Sequence, residues 1–268
     1  MSADAARRLQ AAPPEAGRVH SVFERAVNLD WHDGRLLTLH GPGPLLAPFA
    51  VALARFPCPA LKPGRSVRRR DDSIVVDDMV FEWRCAVIVD TTMPDGARGS
   101  STTLLSRLPQ PEHASAGLSS TIARRARSRL AEGLRDRTPE AFVDGALGML
   151  GLGEGLTPAG DDCLVGALAV VHQFARPWLS THPEIESRVK AASATATTTI
   201  AREFVAHALE GRFAESLVDL MSAESAEEAD DAVTRLLRTG ATSGADTLCG
   251  IRLALAALAT DEERSAWR

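Results

Sequence analysis

The stretch Gly151-Leu152-Gly153-Glu154-Gly155-Leu156-Thr157-Pro158-Ala159-Gly160-Asp161-Asp162 runs straight into Cys163-Leu164-Val165-Gly166-Ala167-Leu168-Ala169-Val170-Val171. Glycines at 151, 153, 155 and 160 allow positive φ and close approach by another group, which suits a ligand loop better than an ordinary connection. The residues that follow are apolar on every side, so the helix they predict belongs inside the protein. Asp161 and Asp162 stand where that helix begins. An N-cap or first-turn acid explains one of them. Two adjacent carboxylates at the head of a buried helix repel each other and lose hydration, so a cation or a set of donors is expected to face them.

A second stretch repeats the construction. Gly244-Ala245-Asp246-Thr247-Leu248-Cys249-Gly250 matches residues 160–166 as G-x-D-x-L-x-G and leads into the apolar run Ile251 to Leu258. In both copies the aspartate and the later glycine are four apart and share one helix face, and a glycine on such a face permits close helix contact. Asp162 and Asp246 are therefore expected to meet at one site.

With 268 residues and 45% hydrophobic composition, the chain has enough apolar surface for a substantial core. Thirty basic against 35 acidic residues, with no tyrosine and 4% aromatics, leave neither the field nor the stacking surface of a nucleic-acid binder. Cys58, Cys85, Cys163 and Cys249 form no C-x-x-C pair, so neither a zinc site nor a disulfide framework is expected. The first residues lack the apolar core of a signal peptide, and no apolar run reaches the roughly 20 residues of a membrane span. A cytoplasmic protein with no membrane contact is the expectation.

The fold class read from the pattern is α+β, with a small antiparallel β sheet or barrel followed by a C-terminal helical bundle. Residues 1–17 read as a flexible lead-in, 18–107 as β-rich, 108–116 as a linker and 117–268 as the helical domain carrying the glycine loop. Within the β-rich part, an Asp33-Gly34 hairpin joins two strands, Leu45 to Phe56 reads as a short helix, and strands resume at Ser73–Val76, Met79–Trp83 and Ala86–Asp90. Pro94 to Gly117 reads as a connection. Seven helices follow, at 118–134, 139–150, 162–174, 185–209, 212–221, 226–237 and 246–259. The arginine runs at 68–70 and 124–127 read as solvated faces, with anion binding the minority reading.

In the helix from Ile185, Thr198, Arg202 and Glu203 or His207 recur at about four-residue spacing, and Arg202 is a suitable fork for an anion, although the spacing alone fits a surface arginine with an i+4 neighbour better. His172 reads as a core histidine more than as a base, and His207 is equally ambiguous between the two. Loop amides favour an anion where the aspartates disfavour one, so the ligand is expected to be mixed: amide donors on one side, phosphate or carboxylate on the other, or a phosphate bridged by Mg²⁺.

The glycine loop, the threonine-rich helix through Ala208-Leu209-Glu210-Gly211, and Gly240-Ala241-Thr242-Ser243-Gly244-Ala245-Asp246 resemble the AllH family, formerly DUF2877, over most of the chain. The resemblance implies a multi-subunit oxamate carbamoyltransferase of allantoin catabolism, interconverting oxalurate plus phosphate with oxamate plus carbamoyl phosphate. It implies other subunits as partners and a small anionic amide substrate, and leaves homo-oligomerisation open. On that reading Asp161, Asp162 and Asp246 are catalytic and take amide hydrogens, while Gly153, Gly155, Thr157, Gly160, Arg202, Ser243 and Gly244 hold substrate or phosphate. No cofactor is expected, Mg²⁺ being the exception. Two alternatives stand beside it: a Mg²⁺-dependent hydrolase resembling ADP-ribosylglycohydrolases, with the three aspartates as ligands, and a non-catalytic scaffold subunit.

Overall fold

Alternating apolar and polar residues in the first third of the chain build a sheet, and continuous apolar stripes in the rest build helices. The computed structural model describes residues 1–43, 46–56, 61–96, 101–110 and 116–259. They divide into two compact units, Met1–Thr91 and Thr92–Arg268.

The first unit holds helix α1 (Ala3–Ala11) and strands β1 (Glu15–Val22), β2 (Ala26–Trp31), β3 (Leu36–His40), β4 (Ala50–Ala52), β5 (Ser66–Arg70), β6 (Ser73–Val76) and β7 (Met79–Glu82). The strands form one curled half-barrel sheet in the order β4-β3-β2-β1-β5-β6-β7, antiparallel except for the parallel β3/β4 pair. At the β2–β3 hairpin Gly34 takes φ 78, and the Asp33 carboxylate accepts from the Arg35 amide at 3.0 Å, as an Asp-Gly turn requires.

Residues 3–11, expected within a flexible lead-in, instead form α1. Ser2 caps it, its Oγ accepting from the Ala5 amide at 3.1 Å, and Ala5 and Leu9 are buried among Val19, Leu29 and Trp31. High helix propensity with a cap and an i, i+4 apolar pair overrides the tendency of chain ends to fray. The short helix expected over Leu45–Phe56 is absent among the described residues, where β4 pairs with β3 instead; Pro48 lacks the amide a helix interior needs. Ala86–Asp90 makes only an isolated bridge, Ser2 to Val89, with Val87 and Ile88 exposed.

The second unit contains α2 (Ser101–Arg107), a 3₁₀ turn (Ala116–Ser119), α3 (Thr121–Arg135), α4 (Pro139–Met149), α5 (Ala159–Phe174), α6 (Arg176–Ser180), α7 (Pro183–Ala196), α8 (Thr199–Leu209), α9 (Glu215–Ser222), α10 (Ala226–Leu237) and α11 (Ser243–Leu258). Helix α2 lies in the stretch expected to be a bare connection, and it is held by buried Leu104 and Leu105. The helix expected as one piece from Ile185 to Leu209 is two. Thr197 is extended, and Thr198 caps α8 by accepting from the Ala201 amide at 3.1 Å. Threonine hydroxyls offer the backbone this alternative to continuing the helix.

Helices α5 and α11 form the centre. Every residue of α5 from Ala159 to Gln173 is buried. The two helices cross at their glycines: a Cβ at Gly166 would lie 2.1 Å from the Thr247 carbonyl oxygen, and one at Gly250 1.8 Å from the Cys163 carbonyl oxygen. Thr247 and Cys163 occupy equivalent places in the seven-residue repeat, so the contact is reciprocal. The repeat also extends backwards. Gly160 abuts the Met149 carbonyl at the end of α4, and Gly244 abuts the Leu236 carbonyl at the end of α10, leaving 2.0 and 2.1 Å for an added Cβ. The heads of α5 and α11 are thus each seated against a carbonyl at the end of the preceding helix.

Candidate functional site

The loop between α4 and α5 turns on left-handed glycines, with φ of 69 at Gly151, 120 at Gly153 and 97 at Gly155. Gly151 is also pressed against the end of α7, where an added Cβ would sit 1.9 Å from the Ala196 carbonyl oxygen. Helix α5 begins at Ala159, so Asp161 and Asp162 are its third and fourth residues rather than its cap. Asp246 is likewise the fourth residue of α11, in register with Asp162.

The two aspartates of α5 do different things. Asp161 Oδ2 accepts from the Gly151 amide at 3.0 Å and from Thr197 Oγ1 at 2.8 Å, fastening the loop to the break between α7 and α8. Burial pushes its carboxyl up to about 6, against the pull of the Thr197 and Gly151 donors. Asp162 faces α11. Burial pushes its carboxyl up to about 8, the hydroxyls of Ser243 and Thr157 pull the other way, and the charges of Asp246 and Asp161 add to the rise. Thr157 and Ser243 are themselves in contact, Oγ to Oγ 2.9 Å, which joins the glycine loop to the head of α11. Asp161 and Asp246 are 1% exposed and Asp162 9%, and among the described residues Asp161 Oδ1 and Asp162 Oδ2 have no hydrogen-bond partner.

The heads of α5 and α11 therefore come together, with Thr157, Asp162, Ser243 and Asp246 in one cluster and Asp161 behind it. Of the two kinds of partner expected to face the acids, it is the donors that are found: the hydroxyls of Thr157, Thr197 and Ser243 and the Gly151 amide. Arg202, half-buried on α8 one turn beyond Thr198, makes no side-chain hydrogen bond or ion pair among the described residues. The acids lean on hydroxyls, on amides and on protonation instead. Gly153 packs against the start of α5, an added Cβ meeting the Ala159 nitrogen at 2.9 Å, whereas Gly155 faces open space. Gly160 and Gly244 serve helix packing, as described above.

The sequence reading missed Thr197. Its signal was the run Thr197-Thr198-Thr199, where a helix stops and hydroxyls become available. Thr198 also reaches back, its Oγ1 donating to the Leu156 carbonyl at 2.5 Å, so the α7–α8 break braces the loop twice. His172 is a core residue, the reading the sequence favoured, and the ambiguous His207 is buried too: Arg212 Nε donates to His207 Nδ1 at 3.0 Å, and burial, with the charge of Arg176, holds His172 down at about 4. Among the described residues, no group of three or more His, Cys, Asp or Glu side chains is placed to hold a metal ion. The donor set that a dinuclear Mg²⁺ centre needs is not assembled by Asp161, Asp162 and Asp246 as they stand.

A curled N-terminal sheet unit and a helical unit with acids at the heads of two glycine-packed helices define a two-unit α+β protein. Residues 1–88 match the AllH family N-terminal domain, and residues 149–255, which carry the whole site, match the family described as oxamate carbamoyltransferase subunit AllH. The chain belongs to the AllH family. No solved structure matches it.

Proposed function

We propose that this chain forms the substrate site of a cytoplasmic, multi-subunit oxamate carbamoyltransferase that works in allantoin catabolism. The reaction would exchange a carbamoyl group between oxamate and phosphate. The family description supports the activity, and one observation supports the placement: Asp162, its carboxyl pushed up to about 8 by burial, sits with Thr157, Ser243 and Asp246 where two helix heads converge.

Such a cluster suits a ligand of both polarities. A carbamoyl NH₂ has donors for Asp246, and oxyanions can take hydrogen bonds from the exposed loop amides around Gly155 and from the helix heads. In oxalurate phosphorolysis a phosphate oxygen attacks the ureido carbonyl, the bond to the oxamate nitrogen breaks, and that nitrogen leaves with a proton. A carboxylic acid with its pKa near the working pH is suited to give that proton, which is the role proposed for Asp162. Arg202, free of protein partners among the described residues, would meet the oxamate carboxylate. Asp161 would hold the loop.

The test is phosphate-dependent release of oxamate from oxalurate by the enzyme assembled with its partner subunits. Asp162→Asn should lower kcat by roughly 10² or more, and Asp162→Asn with full turnover would refute the role. The second reading, a scaffold subunit, is favoured by the glycine contacts at 160, 166, 244 and 250, all of which serve packing. Under it, substitutions at Asp162 and Asp246 leave the partners' turnover unchanged.

A further inference from the structure

Away from that site, one face of α3 carries arginines at its two ends, Arg124 and Arg135, with Ser128 and Ala131 between them. Positions 124, 128, 131 and 135 recur at three- and four-residue spacing and so share one helix face. With Arg127 and with Leu253 of α11, they line a cavity of ≈ 640 Å³. The acid on this wall is already engaged: Glu132 accepts from Arg129 at 2.8 Å, and the other arm of Arg129 reaches Asp144 at 3.1 Å.

The lining arginines are not neutralised in the same way. Among the described residues, the Arg124 side chain reaches only the Thr121 hydroxyl, at 3.3 Å. Arg127 and Arg135 have no side-chain hydrogen bond or ion pair among the described residues, and Arg127 Nε is buried without an acceptor. A buried donor left unmatched is destabilising, a cost that a solvated charge run does not incur. Guanidinium forks match phosphate oxygens two at a time, and Ala131 with Leu253 offers an apolar floor. From Arg124 to Arg135 the helix advances roughly 16 Å, more than one phosphate spans. The volume lies within the roughly 300–1,000 Å³ of small-molecule sites.

We propose that this groove between α3 and α11 binds a small organic polyphosphate, its phosphates on Arg124, Arg127 and Arg135 and its apolar body on Ala131 and Leu253. The site is separate from the aspartate cluster and does not depend on the function proposed there. Calorimetric titration of the full chain with metal-free ATP and, separately, with pyrophosphate tests it. Expected are saturable ATP binding that weakens as salt is raised, weaker binding of pyrophosphate, and an affinity lowered about tenfold or more by Arg127→Gln. The exposed Arg135→Gln, which leaves the helix intact, should lower it in the same direction, and Asp162→Asn should not change it. Absence of saturable binding, pyrophosphate binding as tight as ATP, wild-type affinity in both arginine variants, or loss of binding in Asp162→Asn would each overturn the proposal.

Discussion

Two neighbouring residues, Asp161 and Asp162, carry opposite assignments although they look alike in the sequence. Helical geometry turns successive side chains about 100° apart. Asp161 therefore meets Gly151 and Thr197, while Asp162 meets Thr157 and Ser243. That an acid pair at a buried helix head needs donors was legible; that the donors would be hydroxyls and an amide rather than an arginine was not, because they come from three separate segments. The protonation of Asp162 has a measurable sign. Its carboxyl rises from 3.8 to about 8 on folding, so the stability contributed by the bound proton is complete below pH 3.8 and is lost as pH rises through 8. Asp161, raised to about 6, adds to the same slope. Urea denaturation across pH should show Asp162→Asn matching the parent near pH 4 and exceeding it by a few kcal/mol above pH 8; parallel curves would contradict the shift. Thr197→Val removes one of the donors to Asp161 and should cost about 1 kcal/mol in the same assay.

Among the elements, the α5–α11 crossing was the most legible, because a glycine four residues after an aspartate in both copies marks a shared face. The reciprocal carbonyl contacts at Gly166 and Gly250 bear that out. Gly166→Ala and Gly250→Ala each force a Cβ against backbone that cannot swing aside, and each should lower stability by about 2–4 kcal/mol, measured by thermal or urea unfolding. Gly155→Ala, with open space around it, should cost only the roughly 1 kcal/mol of a left-handed backbone. Elements whose formation depends on distant partners were misread. Helix α1 exists because Leu9 finds Val19, Leu29 and Trp31, so Leu9→Ala should destabilise the sheet unit by about 2–5 kcal/mol, whereas a loose lead-in would show no effect. The α7–α8 break was hidden because apolar spacing continues across Thr197 while the hydroxyls stop the helix.

At the scale of the whole molecule, the α+β class and the order of sheet before helices followed from hydrophobic period alone, two in the first third and near 3.6 thereafter. The likeness of α5 and α11 was visible only as a seven-residue echo, and the structure adds that each helix head packs its glycine against the end of the helix before it. This doubling is what brings acids from positions 162 and 246 into one cluster, and the carbamoyl-transfer reading stands on their acting together. A double-mutant cycle on oxalurate phosphorolysis by the assembled enzyme tests that most directly. If Asp162 and Asp246 serve one site, each single Asn substitution should remove most of the turnover, and the double variant should be little worse than the poorer single. Losses that multiply, or a single variant that keeps full turnover, would contradict a shared site.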